Sequence, residues 1–262
     1  MIRFTAKLST LFLFLVYKLK SFLEPVRRGM RQKRCLFCDE TTYNNEAVCS
    51  PCYQDLPWNT CYCSQCALPM HQRSIHNKEA SIICGECISA PPPFTTTVAS
   101  FRYEAPVDKA IHILKYNHKQ YFATPFAYFL ATKIHQSYQD NNLPSCLIPV
   151  PMHRSKLKER GFNQAQLISK KLSQLLSIPS NSSTLKKVKS TPSQTGLSKL
   201  ERTQNLKGAF HLTNTVTGLH IALVDDVVTT RATSDVLCQL LMDAGAKRVD
   251  VWCIARTAKH RS

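Results

Sequence analysis

The stretch that decides the fold spans residues 219–234 and reads LHIALVDDVVTTRATS. Residues 221–224 form a short apolar run bounded by Gly218 and by two consecutive acids, the pattern of a buried parallel strand. Asp225 and Asp226 stand at its carboxyl end, and hydroxyls follow at Thr229, Thr230 and Thr233. Beyond them Val236, Leu237, Leu240, Leu241 and Ala244 share one helical face up to Gly245, and residues 249–254 read as the next strand. The unit is therefore β-α-β, and in open parallel sheets ligands sit beyond the carboxyl ends of the strands. A helix N-terminus flanked by hydroxyls cradles phosphate, while paired carboxylates ahead of it suit ribose hydroxyls, directly or through magnesium. Together these features describe a ribose 5-phosphate site. The plainer account has Asp-Asp ending a strand and threonines capping a helix, and three threonines in this register make it the weaker one.

The same stretch resembles the 5-phosphoribosyl diphosphate (PRPP) motif of type I phosphoribosyltransferases. That resemblance implies that Asp225 and Asp226 hold the ribose hydroxyls and that Thr229, Thr230, Arg231 and Thr233 wrap the 5-phosphate. Arg231 stands where the family pattern has glycine, a residue used where backbone approaches phosphate closely or takes a positive φ. Its side chain either adds charge to the phosphate or plugs the loop.

The chain has 262 residues, 44% of them hydrophobic, with only seven glycines and 14 prolines, which excludes low-complexity and disordered classes. Its 34 lysines and arginines against 17 acids give a formal charge of +17. Such an excess predicts attraction to polyanions: nucleic acid, anionic lipid or phosphorylated ligands. Residues 1–33 form a basic amphipathic extension in which Leu8, Leu11, Phe12, Leu15, Leu19, Phe22 and Leu23 recur at helical spacing among lysines and arginines. The apolar run 11–17 falls well short of the ~20 residues that span a bilayer. No small-residue cleavage site follows it. The expectation is a helix over residues 1–29 that lies on a membrane surface or docks on the protein, and Met30 offers an alternative start.

Eight of the twelve cysteines fall in four C-x-x-C pairs: Cys35/Cys38, Cys49/Cys52, Cys63/Cys66 and Cys84/Cys87. One such turn aims two thiolates at a tetrahedral ion, and two turns complete a zinc site. Sequential pairing puts Cys35, Cys38, Cys49 and Cys52 on one zinc and Cys63, Cys66, Cys84 and Cys87 on a second, with a cross-braced pairing left open by the spacing. Filled four-cysteine sites are structural, since they leave no position for water or substrate. Metal-bound thiolates in place of disulfides imply a reducing, cytoplasmic setting. Residues 34–90 thus read as a double zinc ribbon, ended by the proline run at 91–93.

Residues 94–262 read as one α/β domain. Strands are expected at 98–103 and 146–150, with a helix at 107–115 between them. A basic loop over 152–164 carries Arg154, Lys156, Lys158 and Arg160, four cations in seven residues, and a helix then runs to Leu176. Beside a ribose-phosphate site such a loop would neutralise a diphosphate.

The order zinc ribbon, PVP-H-R…RGFNQA, TPSQTGLSKLERTQNLKGAF and VDDVVTT resembles the ComF family over nearly the whole chain from Cys35 to Thr257. This resemblance implies a type I phosphoribosyltransferase-like parallel sheet with helices behind a double zinc ribbon. It implies a cytoplasmic role in handling imported single-stranded DNA during natural transformation or DNA utilisation, with a PRPP-type ligand. His153, Arg154, Arg160, Thr191 and Gln194 become candidates for the diphosphate and for a mobile loop over residues 191–202. Arg154, Lys156, Lys158, Lys186, Lys187 and Lys189 become candidates for nucleic acid, with Tyr116, Tyr121 and Phe162 as stacking partners or core. The alternative is an active phosphoribosyltransferase acting on a nucleobase-like acceptor. A third class is a zinc adaptor for DNA-uptake proteins at the inner face of the membrane.

Overall fold

The computed structural model describes residues 33–42, 46–70, 82–116, 120–138, 142–190, 205–206 and 208–259. The expected helix over 1–29, Thr191, Gln194 and the rest of the 191–202 loop lie outside them. The chain divides into two compact units, Met1–Asp55 and Leu56–Ser262. The division falls between the two sequential pairs of C-x-x-C turns.

In the first unit an isolated bridge pairs Arg34 with Thr41, and helix α1 (Ser50–Asp55) begins within the second cysteine turn and carries Cys52. The second unit begins with the other two turns and the short helix α2 (Gly85–Ser89). It continues through strand β1 (Thr97–Arg102), α3 (Val107–Tyr116), α4 (Ala123–Ser137) and β2 (Cys146–Pro149). Next come α5 (Arg154–Arg160), α6 (Gln164–Leu176), and the short strands β3 (Leu185–Lys187) and β4 (Phe210–Leu212). The chain closes with β5 (His220–Val228), α7 (Ala232–Asp243) and β6 (Arg248–Arg256).

The main sheet has the order β1-β6-β5-β2 and is parallel throughout, as the apolar run of β5 requires of a strand buried on both faces. Strands β3 and β4 pair antiparallel apart from it. Ile221, Ala222, Leu223 and Val224 are fully buried, as are Trp252 through Ala255 of the neighbouring strand. Phe101 packs under Trp58 and Phe129 with ring centroids 4.6 and 5.7 Å away, so the segment entering the unit is stapled to the edge strand β1. At the amino end of the sheet, buried Asp250 accepts from Tyr138 Oη and His220 Nε2, both at 2.7 Å, and from Arg248 Nε at 3.0 Å. The carboxyl end is left for the site.

Three expectations need correction. The strand predicted for 221–224 runs on to Val228, because β6 pairs with it as far as Val228↔Arg256. Both acids therefore belong to the strand. The basic loop contains a helix: His153 caps α5 by accepting from Ser155 N, and Gly161 ends it at φ 77°, a left-handed conformation that suits glycine. Helix α4 was not expected. Its buried residues Ala123, Phe126, Ala127, Leu130, Ala131 and Ile134 do recur at helical spacing, inside an unbroken apolar run over 125–131, and the helix packs on α6 and β1.

Candidate functional site

A cleft of about 160 Å³ opens at the carboxyl ends of β2 and β5. That is room for roughly 11–16 waters at about 10–15 Å³ each. Asp225 and Asp226 form its acidic side. Asp226 N donates to Asp225 Oδ1 at 2.8 Å and Val227 N to Asp226 Oδ1 at 2.7 Å, which orients both carboxylates. Burial, with the charge of Asp226 beside it, holds the Asp225 carboxyl well above the usual carboxylate range.

Lys115, from the last turn of α3, ion-pairs with Asp226 at 2.9 Å. Burial works against its charge, and the Asp226 carboxylate more than offsets it, so its pKa rises. The sequence reading missed this residue. A signal was present: Lys115 follows buried Ile111 by four residues and so lies on the buried stripe of its helix, where a cation requires a carboxylate.

The RGFNQA segment builds the opposite wall residue by residue. Arg160 Nη2 donates to Tyr116 Oη at 2.9 Å and its guanidinium lies 4.7 Å from that ring's centroid. Phe162 is core. Asn163 caps α6 by accepting from Ala165 N at 3.0 Å, and its Nδ2 donates to Val150 O at 3.0 Å, which fixes the chain leaving β2. Gln164 is 2% exposed and lines the cleft, yet its Nε2 has no hydrogen-bond partner among the described residues. Arg160 Nε is likewise buried and unpartnered. Both donors belong to residues that line the cleft, and neither has a partner among the described residues.

Helix α5 sorts the basic segment. His153, Lys156 and Arg160 recur at helical spacing and line the cleft, whereas Arg154 and Lys158 are exposed. Lys187 joins them from β3, its pKa lowered by burial and by Lys156, while Lys186 and Lys189 are exposed. Of the expected aromatics, Tyr116 and Tyr121 are exposed and Phe162 is buried.

Thr229 and Thr230 follow β5, and Thr233 lies in the first turn of α7, away from the lining of the cleft. Arg231 takes φ 68°, the left-handed conformation for which glycine is the usual residue. Its side chain turns from the loop into the protein: Nη1 lies 3.1 Å from Cys87 Sγ and Nη2 lies 3.3 Å from Glu86 Oε1. Only the backbone of Arg231 is left at the turn between β5 and α7.

The cysteines gather in the sequential pairing, each tetrad with its sulfurs within 4.8 Å of one another. Cys38 Sγ and Cys49 Sγ are 3.6 Å apart, and Cys66 Sγ and Cys84 Sγ 3.7 Å. Zinc–sulfur bonds of about 2.3 Å make the edge of a tetrahedron about 3.8 Å, so both tetrads fit zinc. Backbone N–H groups of Cys49 and Cys84 donate to Cys35 Sγ and Cys63 Sγ. Hydrogen bonding from Cys66 lowers the Cys63 thiol to about 4, while the same bond pushes Cys66 up and burial pushes Cys87 up to about 12. Four thiolates therefore coexist there only around a cation. Cys238 and Cys253, outside the tetrads, are fully buried. Among the described residues no helix is long and apolar enough to cross a membrane.

Residues 32–91 match the double zinc ribbon domain family. The chain is 34% identical over 212 residues to the DNA utilization protein YhgH of Salmonella typhimurium, covering 80% of this chain and 90% of that protein. It is 32% identical over 229 residues to Competence protein F of Haemophilus influenzae, covering 85% and 96%. A purine phosphoribosyltransferase from Pyrococcus horikoshii is 17% identical, covering 50% of this chain and 70% of that one, with a TM-score of 0.32. A double zinc ribbon leading into a parallel α/β domain is the class defined by these elements. The chain belongs to the ComF family, with YhgH and Competence protein F among its relatives.

Proposed function

We propose that the chain handles single-stranded DNA in the cytoplasm during natural transformation or DNA utilisation, and that its cleft binds a PRPP-type ribose-phosphate ligand. The names of its relatives support the role in competence or DNA utilisation. The buried donors Gln164 Nε2 and Arg160 Nε, without a partner among the described residues and carried by residues that line the same cleft as Asp225 and Asp226, carry the ligand reading. A polyol anion satisfies both sides at once: hydroxyls donate to the carboxylates and phosphoryl oxygens accept from Gln164, Arg160, Lys156 and Lys187. Magnesium, where it takes part, would bind Asp225 and Asp226. The 5-phosphate would sit on the backbone of residues 229–233 at the N-terminus of α7. His153 uses Nδ1 for its cap, so its ligand contact falls to Nε2.

For DNA, an exposed aromatic pair lies beside the cleft: His112 and Tyr116 with ring centroids 4.6 Å apart, and Arg160 over the Tyr116 ring at 4.7 Å. Arg154, Lys158, Lys186 and Lys189 add backbone attraction around it. Calorimetry on the full chain with both zincs tests the reading, using PRPP and magnesium with and without a single-stranded oligonucleotide. PRPP binding that Asp226→Asn and Gln164→Leu abolish is the expected result, together with oligonucleotide binding whose salt slope flattens on charge reversal at Arg154, Lys156 and Lys158. A PRPP titration with no heat and no competition by ribose 5-phosphate overturns the ligand half; an unchanged salt slope overturns the DNA half.

A second reading, transfer of the phosphoribosyl group to an acceptor with departure of diphosphate, is favoured by the four cations Lys115, Lys156, Arg160 and Lys187 along the cleft. Diphosphate release from PRPP in the presence of nucleobases distinguishes turnover from binding.

A further inference from the structure

The second cysteine tetrad is joined to the loop after β5 from two sides. Arg231, 3% exposed, places its guanidinium on Cys87 Sγ and Glu86 Oε1. Arg256, 2% exposed at the end of β6, donates from Nε to Cys66 O at 3.1 Å. Its Nη1 donates to Val228 O at 3.0 Å and to Thr229 O. One guanidinium thus holds a cysteine turn and the start of the loop together, and the other holds the opposite turn and the loop's end. Thr257 completes the clasp, donating from N to Val228 O at 3.2 Å and from Oγ1 to Thr229 O at 3.3 Å.

The physical case rests on charge and on backbone conformation. A zinc held by four thiolates carries a net charge of about −2, so a buried guanidinium against one of its sulfurs is a counter-charge placed in a medium where it matters. Arg231 also occupies a left-handed backbone conformation that L-residues other than glycine adopt at about 1–2 kcal/mol. An arginine there needs a reason, and the tether to the metal site supplies one. Glycine would take the same φ without strain and without the tether.

We infer that the buried zinc site is a positioning element for the ribose-phosphate loop: metal on Cys63, Cys66, Cys84 and Cys87 fixes residues 228–231 through Arg231 and Arg256. Arg231 is a positioning residue, acting on ligand through the backbone it holds. The ligand arm of this inference rests on the phosphate-loop reading above, while the loop arm does not. The four cysteines stay in place in Arg231→Gly, so zinc content serves as the control.

The experiment is hydrogen exchange of the amides of residues 228–234 in the full chain, alongside zinc content and calorimetry with ribose 5-phosphate. Arg231→Gly is expected to keep two zincs per chain, to exchange at these amides about tenfold faster, and to weaken ribose 5-phosphate by about tenfold. Cys38→Ser, which removes a ligand of the other tetrad, is expected to leave loop exchange unchanged. Unchanged loop exchange in Arg231→Gly at full zinc overturns the inference, as does a tighter ribose 5-phosphate complex. A zinc-loaded wild type that ignores ribose 5-phosphate sinks the ligand reading instead, and loop exchange still decides the coupling.

Discussion

The two cysteine tetrads share one sequence grammar and have opposite surroundings. Each is built from two C-x-x-C turns, with sulfur pairs at 3.6 and 3.7 Å and a backbone N–H on its first cysteine's sulfur. In the first, Cys35 is buried, Cys49 and Cys52 are half-buried, and Cys38 is exposed; in the second, no cysteine is more than 6% exposed. Flanking the first turn of that tetrad, Arg34 and Asp39 pair as two largely exposed side chains at 2.8 Å. The second belongs to a hydrophobic cluster that includes Leu223, Val228, Ala232 and Leu237 from the β5–α7 region. The motif specifies the metal. What packs around it decides whether that metal staples a local loop or holds up a domain.

The largest expected effect breaks this comparison directly. Both tryptophans, Trp58 and Trp252, lie in Leu56–Ser262, so their fluorescence reports on that unit alone. Cys84→Ser should lower its urea stability by at least about 4 kcal/mol, the range reserved for lost metals and opened cores. Cys38→Ser should leave the tryptophan transition within about 0.5 kcal/mol of wild type. Equal losses from the two substitutions would make the tetrads equivalent and remove the distinction drawn here.

A finer comparison sets the arginines of the two sites against each other. Arg256→Ala removes donors from Cys66 O, Val228 O and Thr229 O, all inside the protein, and should lower the same transition by about 2–3 kcal/mol with zinc retained. Arg34→Ala removes a surface ion pair and should be silent by the same fluorescence. A loss from Arg256→Ala no larger than that from Arg34→Ala would mean the clasp is incidental.

Much of this was legible in the sequence, for identifiable reasons. Apolar runs at 221–224 and 249–254 announced the parallel strands, and fourfold repetition of C-x-x-C announced two metal sites. The acids at 225 and 226 fell on the cleft as their place after an apolar run implied. Partnership across the fold was not legible. Nothing local says that Lys115 meets Asp226 or that Arg231 meets Cys87, a residue 144 positions away. Helix α5 was obscured because its four cations read as a basic loop, although RSKLKER consists largely of good helix formers between a histidine cap and a glycine stop. In each case a buried or capped polar residue was the available clue, since a charge on a buried stripe implies an unseen partner.

The smallest expected effect comes from pH, and it separates the units by sign. Both tetrads lose metal as acid protonates their thiolates, so both weaken as pH falls. Only the second unit contains Asp225, whose carboxyl the fold holds well above its ordinary range through burial and the neighbouring Asp226. A carboxyl raised in this way favours folding fully below its unfolded pKa of about 4 and loses that contribution as pH rises toward its folded value. The tryptophan transition of wild type should therefore fall on the alkaline side of pH 4 relative to Asp225→Asn, whose amide copies the protonated acid. At neutral pH the variant should melt higher by about 3 °C, corresponding to about 1 kcal/mol in a unit of this size. The gap should close toward pH 4, where both side chains are neutral. A gap of constant size across that range would assign the gain to packing instead of to the proton on Asp225.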